Sequence, residues 1–374
     1  MHDQSRARRA ARALAIGWVA IICALVPAHG VRAQPAEDAV FPSGEIALII
    51  PFSEGGGSDV WARFYAPLIE RHLPGQPDIV VQNAPGGGGT RGSNDFQRRA
   101  EPDGRTLLGT SGSSLFAYLL GDFRVRYDFT DWTVLMASPT GGVVYVAPDL
   151  GLKSWRDIAA LRDKRLVFAS QGTTSLDLVP MLAFRLLGFD AHYVFGYTGR
   201  RDGLEAMNHH EVNIDYQTSS AYLRNVAPLV ARGEAVPLMT WGVVDAEGRV
   251  QRDPTFPDLP TVEELYELIH GTPPSGPEYD AYRVFASAGF AAQKLLVLPG
   301  DTPPAIRDTW LAAIEAAHQD PEYLRDAPSV LGAYQTLVGD AADQLSRRAT
   351  EIAPETRRFV LDLLESEYSI RVAE

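Results

Sequence analysis

Cysteine is almost missing from this chain: Cys23 is the only one among 374 residues. A disulfide framework and a cysteine-based metal site are therefore excluded, and stability has to come from core burial. Excess positive charge is missing as well. The 34 Lys and Arg are outnumbered by 47 Asp and Glu, for a formal net charge of −13. That balance argues against nucleic acid or an anionic membrane as a partner. It leaves an anionic ligand open, because backbone N–H groups can build a local anion site inside an acidic protein. Long apolar runs are missing too. The longest, residues 13–27, spans about 15 residues where a membrane helix needs about 20. No internal repeat or low-complexity tract interrupts the chain.

What is present begins with a targeting signal. Arg6, Arg8, Arg9 and Arg12 precede the apolar run, and Val31-Arg32-Ala33 places small residues before Gln34. Charge, then a short apolar stretch, then small-x-small is the order of a secretory signal peptide cleaved near Ala33, giving a periplasmic protein. Arg8-Arg9 offers only a weak twin-arginine hint, and Cys23 lacks the small preceding residue of a lipoprotein site. Cleavage removes Cys23 together with five arginines and one aspartate, which takes the net charge to −17. The remaining 341 residues are enough for about two domains.

Strand and helix patterns then alternate. The spacing predicts strands over 45–52, 78–82, 105–109, 165–169, 192–195 and 212–216. Helices are expected over 58–73, 93–100, 175–187 and 203–209, with Pro67 kinking or breaking the first. Ser175 is the expected N-cap and Gly188 the stop of the third helix. A last block resumes over 288–299 and runs into helices from Pro303 and Asp340. Alternation of this kind predicts largely parallel α/β sheets covered on both faces, here in two lobes.

Four loops follow strands directly: residues 51–59 with three glycines, 85–92 with five, 109–114, and 170–175. Glycines let a ligand approach the main chain, and a helix N-terminus offers unpaired N–H groups. Ligands of open α/β sheets sit at the carboxyl ends of strands, so these hydroxyl-rich loops read as a site that grips oxygens. Taken singly, each loop is as well explained by an ordinary βα turn. Other motifs fail. Gly87-x-Gly89-x-x-Gly92 matches the dinucleotide pattern, but the acidic ribose partner about 20 residues later is replaced by Gly109-Thr110. No glycine loop runs into Lys-Ser/Thr. Gly109-Thr110-Ser111-Gly112-Ser113 has serine where a nucleophile elbow ends in glycine. Adjacent His209 and His210 point to different helix faces, so no metal site is expected. His192 reads as structural. Neither a cofactor nor catalytic residues are expected.

The ordered set IALIIPFSEGGGSDVWAR, IVVQNAPGGGGTRGSNDF, EPDGRTLLGTSGSS, Gly196-Tyr197-Thr198-Gly199, Glu211-Val212-Asn213-Ile214-Asp215, FPDLPTVEEL and LPGDTP resembles the substrate-binding proteins of tripartite tricarboxylate transporters, the Bug receptors. It covers nearly the whole mature chain. The resemblance implies a two-lobed periplasmic-binding-protein-like fold of type II. Its lobe 1 would be residues 34–140 plus 288–374 and its lobe 2 residues 141–287. It also implies a monomeric receptor that closes on a small organic carboxylate (a di- or tricarboxylate or related acid) and delivers it to a membrane permease. By position, the ligand-binding residues would be Ser53, Gly55, Gly56, Gly57, Ser58, Gly88, Gly89, Thr90, Ser111, Ser113, Gln171, Gly172, Thr173, Thr174 and Ser175, with Tyr197 and Asp215 lining the second lobe. Departures are Thr90 in place of the usual Asn, a more glycine-rich second loop, and no aromatic-Gly strand over 281–296. Glu54 would repel a carboxylate unless it points away. Arg91, Arg200 and Arg201 are candidate charge partners, or else exposed loop arginines. Two rival readings are a carboxylate sensor for a signalling partner and a secreted hydrolase using Ser111 or Ser113, for which no motif supplies the histidine base.

Overall fold

The computed structural model describes residues 44–244 and 249–372; the expected signal peptide lies outside them. The apolar run IALII forms strand β1 (Ile46–Ile50). Ile46, Leu48 and Ile50 point to one face, where they pack on Trp61, Leu68 and Ile69 of helix α1 (Gly57–Glu70). Pro67 does not break α1. It sits in the last turn on the exposed side, so the one carbonyl it leaves unpaired, that of Arg63, can turn to water. Strands β2 (Ile79–Asn83) and β3 (Thr106–Ser111) pair parallel with β1 on either side.

In chain order the other strands are β4 (Trp132–Ser138), β5 (Gly142–Val146), β6 (Leu166–Ser170), β7 (Ala191–Phe195), β8 (Ile214–Thr218), β9 (Val236–Thr240), the short β10 (Val243–Val244) and β11 (Val250–Gln251), β12 (Lys294–Pro299) and β13 (Leu337–Val338). The first sheet has the order β13-β4-β12-β3-β1-β2. Along β12, Leu296 and Leu298 join the cluster beneath α1, whereas Leu295 and Val297 face the opposite cluster with Phe116 and Phe285. Period-two alternation with both faces apolar is the mark of a sheet covered on both sides.

The α/β, two-lobed expectation holds, but the sheets are mixed rather than largely parallel. β12 runs antiparallel between β3 and β4. The reason is where the chain returns. After β4 it leaves for the second set of strands across residues 139–141, and it comes back through the helix Pro277–Ala291. β12 thus starts at the edge where β3 and β4 end, with Lys294 opposite both Ser111 and Ser138. The second set comprises an antiparallel β8-β5-β9 sheet and a parallel β6-β7 pair.

Helix α1 follows the first of the four loops, and α2 (Thr90–Arg99), α3 (Gly112–Leu120) and α4 (Leu178–Leu186) follow the other three; α5 (Arg200–Asn208) comes after β7. α4 starts three residues after the expected Ser175. The Ser175 hydroxyl instead braces a turn, donating to the Gly172 carbonyl at 2.7 Å and accepting the Asp177 amide at 3.2 Å. Gly188, at φ +74, ends the helix as expected.

Candidate functional site

The strand-end loops of the two sheets meet face to face. Ser53 Oγ lies 3.1 Å from Thr198 Oγ1, Asn225 Nδ2 donates to the Gly55 carbonyl at 3.2 Å, and Ser220 Oγ donates to the Gly57 carbonyl at 3.2 Å. Gly57 is where the approach is tightest: a Cβ there would overlap Thr218 Oγ1. Asp59 shapes this loop from behind. It accepts the Gly55 amide at 2.9 Å, Arg63 Nε at 2.9 Å and Asn83 Nδ2 at 3.1 Å. Glu54 points away from the cleft, exposed and 3.7 Å from Arg63.

The N-caps matter most for chemistry. α1 is capped by Gly56 and α5 by Gly199, and neither has a side chain to accept the first-turn amides. The two lobes therefore present two glycine-capped helix N-termini to one cleft, each with unpaired N–H groups and a partial positive charge. Ser58 is buried beside the first of them. The hydroxyl of Thr218, also buried, has no hydrogen-bond partner among the described residues.

The second loop explains its own composition. Gly86, Gly87, Gly88 and Gly89 all take positive φ, from +62° to +138°, a region L side chains avoid. This tight path brings Gly88 against Ser175 of the other lobe, and Thr90 braces it by donating to the Gly87 carbonyl at 2.9 Å. Ser111 caps α3 by accepting the Ser113 amide at 3.2 Å, and Ser113 Oγ accepts the Leu176 amide across the cleft at 3.1 Å. Both hydroxyls are thus occupied by main-chain N–H groups.

Thr174 is held by residues the sequence did not single out. Its hydroxyl donates to Asp122 at 2.6 Å and accepts from Arg124 at 3.2 Å. Burial pushes the Asp122 carboxyl up, but hydrogen bonds from Arg124 and Thr174 outweigh it and hold the pKa below the usual value. A carboxylate with a lowered folded pKa contributes stability that is present above the unfolded pKa and lost as pH falls through the folded one. Asp122→Ala is accordingly expected to cost about 1–3 kcal/mol at pH 7. The deficit should shrink in urea titrations below about pH 4, the unfolded value.

Behind the second-lobe loop lies a buried network. Arg200 reaches the Ala169 carbonyl at 2.9 Å, Asp177 at 3.0 Å and, through its other terminal nitrogen, Asp215. It lies against the rings of both Phe168 and Tyr216. Burial opposes its charge, yet Asp177 and Asp215 outweigh that and hold its pKa above the ordinary arginine value. Asp177 in turn accepts Ser170 Oγ, the Gln171 amide and Tyr216 OH. Asp215 is fully buried, and Tyr145 and Gln217 occupy its second oxygen.

Asp215 and Arg200 therefore stand behind the cleft wall, and Arg200 is not an exposed loop arginine. Arg201 pairs with Glu205 and lies over Gly55, while Arg91 is exposed. Tyr197 is half-buried on the second lobe's smaller core cluster. Gln171 and Gly172 lie along the cleft rim, with Gln171 Nε2 3.4 Å from the Thr198 carbonyl; Thr173 is buried beneath them. The sequence reading missed the Thr218-Ser219-Ser220 turn, Asn225, the Asp122–Arg124 pair and Lys294. A hydroxyl run after a strand was a usable signal for the first, and a lone lysine in an apolar run for the last.

Two α/β lobes are joined at one sheet edge, and their glycine- and hydroxyl-rich strand ends close on each other. The chain belongs to the tripartite tricarboxylate transporter family of receptors, which matches residues 62–276. Protein BugT of Bordetella pertussis is 38% identical over 99 residues, 26% of this chain and 29% of BugT. The chain spans less than half the length of the first curated relatives it matches. The fold is shared with the periplasmic binding protein BugD, with a TM-score of 0.66 and 19% identity over 83% of this chain and 96% of BugD. It is also shared with MatC of Rhodopseudomonas palustris, solved with malate bound, with a TM-score of 0.61 and 20% identity over 83% and 100%.

Proposed function

We propose that this protein is a periplasmic receptor that holds a small organic carboxylate between two lobes and passes it to a membrane permease. The lobes are residues 34–140 plus 288–374 and residues 141–287. The strand order supports a division of this kind, since β5 to β11 lie between β4 and β12 in the chain and pair outside the first sheet. The observation that carries the reading is the pair of glycine-capped helix N-termini, one from each lobe, facing one cleft. An ionised carboxylate accepts strong hydrogen bonds from such amides. Ser53, Gly55, Gly56, Gly57 and Ser58 would hold it from the first lobe, with Gly88, Gly89, Thr90, Ser111 and Ser113 forming the adjoining wall. Gln171, Gly172, Thr173, Thr174 and Ser175 would close from the second, stiffened by Asp215 through Arg200, with Tyr197 at the rim. Binding and lobe closure complete the task, with no bond made or broken.

A thermal-shift screen of the refolded protein against mono-, di- and tricarboxylates tests this reading. A ligand at 100 times its dissociation constant stabilises the fold by about 2.7 kcal/mol. One carboxylate should raise the melting temperature and be recovered intact. Turnover of that compound, or no shift from any carboxylate, would refute the proposal.

A further inference from the structure

Lysine is rare in this chain, with three against 31 arginines. Lys153 and Lys164 are exposed, but Lys294, the first residue of β12, is 2% exposed. The residue type matters here, because a buried guanidinium stays charged whereas a buried ammonium can give up its proton. Arg200 is buried with two carboxylates, Asp177 and Asp215. Lys294 is buried with none among the described residues; its Nζ donates to the neutral side-chain carbonyl of Gln293 at 2.6 Å. The cavity beside it, about 20 Å³, is water-sized and too small for a carboxylate counter-ion. An ammonium held this way is costly, and burial lowers its pKa from 10.5 to about 7.

Its place in the fold ties that cost to lobe closure. The cavity walls come from both lobes, with Trp61 and Ser138 from the first, Ser220 from the second and Thr140 on the crossing between them. Ser220 shuts its side by donating to the Gly57 carbonyl at 3.2 Å, a contact made across the lobes. We propose that lobe closure expels a proton from Lys294, so that the receptor grips its ligand more tightly as the medium becomes alkaline. This rests on the receptor reading and goes beyond it. Parted lobes let water reach the amine, which then keeps its ordinary hold on the proton. The closed form has the lower pKa, so closure gains as pH rises from about 7 toward about 10. Below about pH 7 both forms carry the charge and the gain is absent. The groups around the cavity do not supply this proton. Tyr334 is kept protonated by burial and by Asp253, which accepts its hydroxyl at 2.6 Å. Helix Pro321–Val330 contributes Tyr323, and β3 and β4 set only Ser111 and Ser138 opposite Lys294. Burial keeps Tyr65, one turn beyond Trp61, protonated and holds His318, 3.2 Å from its hydroxyl, neutral above pH 7.

The test holds the lobes shut without a ligand. Ser53 Oγ and Thr198 Oγ1 lie 3.1 Å apart across the cleft, so Ser53→Cys with Thr198→Cys can be oxidised to a disulfide that locks them. With isotope-labelled lysine, nuclear magnetic resonance follows the three side-chain amines, and Lys153→Arg and Lys164→Arg assign them by subtraction. Lys294 should titrate near pH 7 in the locked protein and roughly two units or more higher in the reduced one. Calorimetry with malate and adipate should then give an affinity that is flat below about pH 7 and rises roughly tenfold or more by about pH 9, with proton release. Lys294→Met should bind more tightly than wild type at pH 7 and lose the pH dependence. The same Lys294 titration in the locked and reduced forms, or a wild-type affinity unchanged from pH 7 to 9, overturns the linkage and leaves the receptor standing. If neither acid binds, the receptor reading fails, while the two titrations still decide the proton step.

Discussion

Replacing Arg200 with leucine is expected to lower the unfolding free energy by about 3–5 kcal/mol, the range for removing one partner of a buried ion network. Two carboxylates, Asp177 and Asp215, would remain buried without their cation. The damage should reach the site as well. Asp177 also holds Ser170 Oγ and the Gln171 amide, so losing its anchor loosens the loop that closes on the ligand. Urea denaturation should show the midpoint falling with the slope unchanged, and ligand affinity falling in parallel. Arg200→Lys should rescue little. One ammonium cannot span both carboxylates and the Ala169 carbonyl as the guanidinium fork does. Full stability in Arg200→Leu would mean the network is not what sets the second lobe's loop.

Gly57→Val should leave stability nearly unchanged while weakening ligand binding at least 100-fold, or about 2.8 kcal/mol. Valine is tolerated at the first turn of a helix, but its Cβ would occupy the place of Thr218 Oγ1 and prop the lobes apart. Gly56→Ala is the control, since a Cβ there meets only the Ser53 carbonyl at 3.4 Å, an ordinary contact. Calorimetry gives the affinities, and solution scattering should find Gly57→Val extended with or without ligand. Wild-type affinity in this variant would show that the lobes need not meet at Gly57 for binding.

The parts of this protein that were legible in its sequence are those written in local pattern. The four loops announced themselves because glycine and hydroxyl runs directly follow apolar strands, and Gly86 to Gly89 all need the left-handed region that only glycine enters freely. Strand direction was not legible. An all-apolar run such as KLLVLP reports burial on both faces and nothing about which way its neighbours run, so antiparallel β12 appeared only with the fold. Arg200, Asp177 and Asp215 lie 23 and 15 residues apart with no shared period, and only the topology of β6, α5 and β8 brings them together. The same holds for Asp122 and Thr174, which meet across the cleft from different lobes.

The account's central claim is that a carboxylate sits between the two glycine-capped helix N-termini. Hydrogen exchange on wild type, with and without the carboxylate that most raises the melting temperature, tests this most directly. Protection should concentrate in residues 53–60, 86–92, 170–176 and 198–203, in both lobes at once. Protection confined to one lobe, or lying outside these loops, would contradict it.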